Sequence, residues 1–122
     1  MSTENAALEV EELIIRFSRE GDVNNIVWSG VSEIQDPEHD IGPFLRGLIP
    51  QLGGRKTLID FRLLEYMNSA TLQPIFQLLK ELSHQKIETV LLYDRGVEWQ
   101  RLSIRSITAV VKSLPNVTIA IS

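Results

Sequence analysis

Between Lys56 and Ser122 the apolar residues change their period from one segment to the next, and this alternation limits the chain to few folds. Leu58-Ile59 lie in a run of strand length, and Leu72, Ile75, Phe76, Leu79 and Leu82 then recur at helical spacing. Val90-Leu91-Leu92 form a second short run, Ile104, Ile107, Val111 and Leu114 a second helical stripe, and Val117 to Ile121 a closing run. A short apolar run buries a strand, whereas i, i+3, i+4, i+7 spacing buries one face of a helix. Strand and helix in alternation call for neighbouring parallel strands joined by right-handed crossovers, with the helices covering the sheet. The expected class is α/β.

The N-terminal half adds a different pattern. Residues 1–7 are small and polar and are expected to be flexible, with a single domain over 8–122. From Leu8 to Phe17 apolar and acidic residues first alternate and then cluster as Leu13-Ile14-Ile15, which reads as one strand or, alternatively, a helix. Glu20-Gly21-Asp22 and Asn24-Asn25 are turn formers, and Ile26 to Val31 follows as a strand, so a hairpin is expected. Asp40 is expected to cap a helix carrying Ile41, Phe44, Leu45, Leu48 and Leu52, with Pro43 in its first turn, where a missing N–H costs little. Pro50 and Gly53-Gly54 end that helix, and a strand over Lys56 to Phe61 follows.

Composition excludes several kinds of function. The chain has 122 residues, enough for one core, and a formal charge of −4 without any Lys/Arg run, so nucleic acid is not an expected partner. No apolar stretch has the length of a membrane span, and Met1 to Ala7 lacks the features of a signal peptide, so a cytoplasmic location is expected. Without cysteine there is no disulfide, thiolate ligand or thiol nucleophile. His39 and His84 have no partners at metal-ligand spacing. Gly53-Gly54-Arg55-Lys56 precedes a strand, whereas a phosphate-binding loop follows one. Ser103 and Ser106, flanked by Arg101 and Arg105, have no base nearby in sequence. The chain is therefore expected to bind no metal or cofactor and to catalyse no reaction.

Ligands and partners of open parallel sheets gather at the carboxyl ends of strands. Two segments end there: Arg62 to Thr71, read as a loop after the Leu58-Ile59-Asp60 strand, and Tyr93 to Trp99 after Val90-Leu91-Leu92. Neighbouring strands would place Asp60, Ser69, Thr71, Asp94 and Arg95 on one edge. Asn68, Ser69 and Thr71 are all good helix N-caps. With Thr71 as cap, Pro74 falls in the first turn, so the helix is expected to begin late and to leave Ser69 on an exposed turn. A hydroxyl there is either a cap or a phosphorylation site. Phosphate would add up to about two negative charges at the positive end of the helix dipole, changing the surface while sparing the fold.

The run from Leu58 to Leu72, Leu-Ile-Asp-Phe-Arg-Leu-Leu-Glu-Tyr-Met-Asn-Ser-Ala-Thr-Leu, resembles the segment of STAS domains that joins the third strand to the second helix. These domains include the anti-sigma-factor antagonists of the SpoIIAA type. Asp60 to Leu64, Met67-Asn68-Ser69 and Tyr93-Asp94-Arg95 are most similar to the single-domain SiaC-like regulators. The resemblance implies a mixed sheet of four or five strands with an N-terminal hairpin and helices predominantly on one face. It also implies a phosphoacceptor at Ser69, with Thr71 in reserve, and a partner-binding surface comprising Asp60, Arg62, Asn68, Ser69, Thr71, Asp94 and Arg95. The implied partners are a GHKL-type Ser/Thr protein kinase, a PP2C-type phosphatase and a target protein, either an anti-sigma factor or a nucleotide-signalling enzyme. Asn68 and Thr71 depart from the more usual antagonist pattern, which has Asp before the acceptor and Gly two residues after it. The alternative is a STAS module that senses a nucleotide or lipid at the sheet rim without a phosphoswitch.

Overall fold

The structure, a computed structural model, describes residues 6–122 except for the side chains of Arg101 and Leu102. Its elements run β1 (Ala6–Val10), β2 (Leu13–Glu20), β3 (Val23–Ser32), α1 (Pro37–Asp40), α2 (Gly42–Leu48), β4 (Lys56–Met67), α3 (Leu72–His84), β5 (Thr89–Tyr93), α4 (Glu98–Val111) and β6 (Val117–Ile121). One six-stranded sheet follows chain order from β1 to β6. The first two pairings are antiparallel and the last three parallel. The class is thus α/β with a mixed sheet, and it has six strands where four or five were expected.

The additional strand comes from the segment before Phe17. Glu11 adopts a φ of +54° and with Glu12 forms a two-residue turn, so the expected single strand is a hairpin, β1 against β2. Ala6 and Ala7 belong to β1 instead of a flexible end, and residues 1–5 of that expectation lie outside the described residues. The predicted hairpin around Glu20-Gly21-Asp22 is β2–β3, with Gly21 at a φ of +61° in its turn. Gly30 has a φ of +89°, and a Cβ there would overlap the Glu12 carbonyl oxygen, so only glycine fits where β3 passes the first turn.

β3 to β6 advance in one direction across the sheet, so right-handed crossovers place their connecting helices on one face. Strand side chains facing the helices, among them Ile15, Phe17, Ile26, Trp28, Ile59, Phe61, Leu91 and Tyr93, are buried with Leu45, Leu48, Ile75, Leu79, Leu82 and Ile107. Phe61 lies at the centre of an aromatic row, 5.5 Å from Trp28 and 5.2 Å from Tyr93 between ring centroids. The expected helix after Asp40 is α2 followed by a 3-10 turn over Ile49–Gln51, and the short α1 precedes it. Asp40 does not cap α2, which has Ile41 at its N-cap and no side-chain capping bond, while Pro43 does fall at its start; Asp36 caps α1 by accepting the His39 N–H.

The largest departure concerns β4, which continues to Met67 instead of ending at Phe61. The ten-residue β3 supplies pairing partners as far as Ser32, and β4 follows with two one-residue bulges, between Asp60 and Leu63 and between Leu64 and Tyr66. Each bulge reverses the in-out parity, so Phe61, Leu64 and Met67 are all buried at a spacing of three. Most of the expected loop from Arg62 to Thr71 is therefore strand.

Candidate functional site

Beyond Met67 the chain is fastened to the end of β3. The Asn68 N–H donates to the Ser32 carbonyl at 2.9 Å, and Asn68 Nδ2 donates to the Ile34 carbonyl at 3.1 Å. Asn68 Oδ1 accepts from the Thr71 N–H at 3.1 Å and from the Thr71 hydroxyl at 2.6 Å. Because that hydroxyl proton is committed to Asn68, the Ser32 hydroxyl donates to Thr71 Oγ1 across 2.7 Å. Ser32 and Thr71 are completely buried. Asn68 thereby caps a single 3-10 turn over Ser69–Thr71, and α3 starts at Leu72 with Pro74 in its first turn. The helix begins late, as the Pro74 position implies, although Asn68 rather than Thr71 supplies the capping side chain.

Two hydroxyls of this turn have opposite surroundings. Thr71 is enclosed and fully hydrogen-bonded, whereas Ser69 is exposed and its hydroxyl has no partner among the described residues. Ser69 lies in an open groove of about 270 Å³ formed with Tyr66, Leu72 and, from α4, Trp99, Ser103 and Ser106. Leu63 and Tyr66, on the β4 extension, are 63% and 43% exposed, so two large apolar side chains lie at the surface just before the turn.

The groove owes its second wall to two residues at the start of α4. Trp99 Nε1 donates to the Leu64 carbonyl at 2.7 Å. Gln100, wholly buried, donates through Nε2 to the carbonyls of Phe61 at 2.8 Å and Leu64 at 3.1 Å and accepts the Asp94 N–H at 2.7 Å. β5 pairs with β4 only as far as Asp60, so these side chains satisfy carbonyls that a longer β5 would otherwise engage. Gln100, Trp99, Ser32 and Tyr66 escape a reading for reactive residue types. Gln100 does leave a trace: counted back from Ile104, Ile107, Val111 and Leu114, position 100 continues the apolar stripe of α4 but is polar.

The remaining predicted residues form a separate group. Arg62 binds Asp60 through Nε at 2.9 Å, through Nη2 at 2.8 Å and through its backbone N–H at 3.0 Å. Burial pushes the Asp60 carboxyl up, but these hydrogen bonds and the guanidinium charge outweigh it and hold the group below the usual carboxylate range. The Asp60 hydrogen bond and charge raise Arg62 in turn, against a smaller effect of burial, and the nearby Asp94 charge adds to that rise. Asp94 also accepts the Gly96 N–H at 2.8 Å and shapes the turn into α4. Arg95 is exposed, and its side chain makes no hydrogen bond or ion pair among the described residues.

A single edge holding all of these residues is not what the structure presents. Asp60 pairs with Val27 and Met67 with Ser32, five steps along β3 or roughly 17 Å at ~3.3 Å per residue, so the turn with Asn68, Ser69 and Thr71 projects well past the Asp60–Arg62–Asp94 group. No hydrogen bond or ion pair joins the two groups among the described residues. Also among the described residues, no three His, Asp or Glu side chains are grouped so as to hold a metal ion, and no helix is long and apolar enough to cross a membrane. No family model matches the chain, and no curated protein matches it.

Proposed function

We propose that this chain is a STAS-like partner-switching regulator whose switch is phosphorylation of Ser69. The observation that carries the reading is the contrast within one turn: an exposed, unpartnered Ser69 hydroxyl beside a buried, doubly hydrogen-bonded Thr71. A kinase must reach the acceptor oxygen, which favours Ser69 and disfavours the reserve acceptor Thr71. The groove, with the exposed Tyr66 in its wall, offers a target protein apolar surface around that hydroxyl. Among the described residues no basic side chain lines the groove, so a phosphate there would add negative charge without a cationic side chain to pair it and would repel an apolar or acidic partner.

In this scheme a GHKL-type kinase adds the phosphate, a PP2C-type phosphatase removes it, and the unphosphorylated form holds the target. Ser69 is a substrate, and the domain itself performs no chemistry. Asp60, Arg62 and Asp94, held in their own network, serve as a second contact region, and Arg95, unpaired among the described residues, is a cation available there to meet an acidic group of a partner.

The test begins with protein isolated from its native cells, in which phosphate is expected on Ser69 and not on Thr71. A target captured with Ser69→Ala bait is then titrated against wild type, Ser69→Asp and protein carrying phosphoserine at position 69. Binding is expected to be retained by wild type and Ser69→Ala and lost on phosphorylation. Equal affinity of the target for all four forms would overturn the proposal.

A further inference from the structure

The two edges of the sheet are unlike. β1 carries Glu9, a charge of the kind that keeps edge strands from pairing, whereas β6 reads Val117-Thr118-Ile119-Ala120-Ile121, without charge or proline. Its inner bonds fix the direction of the rest. The Asn116 carbonyl accepts the Thr89 N–H at 2.9 Å, and the Ser122 N–H donates to the Tyr93 carbonyl at 3.0 Å, so even-numbered residues face β5. In an evenly spaced parallel ladder the odd-numbered ones then point outward. Val117 uses its N–H on the Leu114 carbonyl at 3.1 Å, which leaves Ile119 and Ile121 with outward N–H and C=O groups. Ile121 is also one of three large apolar side chains exposed among the described residues, at 41%, and the other two, Leu63 and Tyr66, are on the β4 extension.

We infer that β6 pairs with β6 of a second copy, antiparallel and centred on Ile119, to make one continuous sheet across two molecules. The sequence is self-complementary about that centre. Ile119 lies opposite its own copy and exchanges both hydrogen bonds with it, Ile121 lies opposite Val117, and Thr118 lies opposite Ala120. Val117, Ile119 and Ile121 form one row on the helix side of the seam, and the small Thr118 and Ala120 fill the other. Each copy carries a formal charge of −4, which opposes association over most of the surface, and the five residues of this seam are uncharged. Antiparallel pairing about a two-fold axis is closed, so it produces a dimer rather than a filament. This surface is independent of the Ser69 reading.

Sedimentation over a range of protein concentrations is expected to show a monomer–dimer equilibrium. In the same samples, the Ile119 and Ile121 amide protons are expected to exchange more slowly as concentration rises. Ile121→Lys, at an exposed position where the monomer needs no apolar group, places a charge in the apolar row. It is expected to raise the dissociation constant at least about tenfold, with an unchanged melting temperature at concentrations where both proteins are monomeric. Three results overturn the inference: a monomer at every concentration, a dimer in which exchange at Ile119 and Ile121 is independent of concentration, or a dimer unaffected by Ile121→Lys. A monomer that gains this protection only when a foreign peptide strand is added overturns it as well.

Discussion

Replacing Thr71 by valine keeps the shape of the side chain and removes one oxygen from a buried cluster. The wild-type hydroxyl donates to Asn68 Oδ1 at 2.6 Å and accepts from the Ser32 hydroxyl at 2.7 Å. Each such bond contributes about 1 kcal/mol net, and a buried donor left without a partner costs about 1–3 kcal/mol. Asn68 Oδ1 keeps the Thr71 N–H at 3.1 Å, so the stranded group is the Ser32 hydroxyl, which is completely buried. Thr71→Val is therefore expected to destabilise the fold by about 2–4 kcal/mol. With an unfolding entropy of ~2.1 cal/mol/K per residue over 122 residues, each kcal/mol lowers Tm by about 4 °C, so the expected loss is about 8–16 °C. Ser69→Ala removes an exposed hydroxyl without a partner among the described residues, and its expected cost is below about 0.5 kcal/mol, or ~2 °C. Calorimetry or thermal melting followed by circular dichroism reads both variants. A Thr71→Val protein melting within ~2 °C of wild type, or a Ser69→Ala protein falling as far as Thr71→Val, would refute the assignment of the two hydroxyls to core and surface.

Two further perturbations test the supports of the site. Gln100→Ala strands the carbonyls of Phe61 and Leu64 and the N–H of Asp94, although Leu64 keeps its bond from Trp99, so urea unfolding should show a loss of about 2–4 kcal/mol; a loss under ~1 kcal/mol would mean that α4 does not hold the β4 extension. Arg62→Ala leaves Asp60 partly buried with only the backbone N–H, so its carboxyl should titrate at higher pH than in wild type by carbon-13 NMR, and an unchanged titration would exclude the ion pair. Since the folded-state value of Asp60 is depressed, the pair contributes stability above the unfolded carboxylate value and loses it as pH falls through the folded one. The stability gap between wild type and Arg62→Ala should accordingly be widest near neutrality and close in acid.

The pattern of apolar residues was enough to place α3, α4, β5 and β6, because each lies on a face whose period is undisturbed. It misplaced the end of β4 because the two bulges shift parity, and a strand read as Phe61, Leu64 and Met67 buried has neither the period of a strand nor that of a helix. Leu8 to Phe17 failed for a comparable reason. Glu11-Glu12 holds no glycine, asparagine or proline to mark the turn, and only the positive φ of Glu11 reveals it. The capping chemistry of Asn68 was visible in residue type, while the choice between Asn68 and Thr71 was decided by Ser32 and Ile34, more than thirty residues earlier in the chain.

By itself the sequence determined the α/β class, the alternation of the C-terminal half, the hairpin before it and the late start of the helix after Ser69, since all of these follow from local period, turn chemistry and the fixed φ of Pro74. Only the tertiary structure decided how those parts meet. β3 is long enough to draw β4 onward to Met67, and this carries Ser69 away from Asp60, Arg62 and Asp94. The Ser32 hydroxyl draws Thr71 into the core and leaves Ser69 outside, and strand order leaves β6 at an uncharged edge. The physical reason is the same in each case: pairing and burial are settled between residues distant in the chain, and no local pattern encodes which distant partner is present.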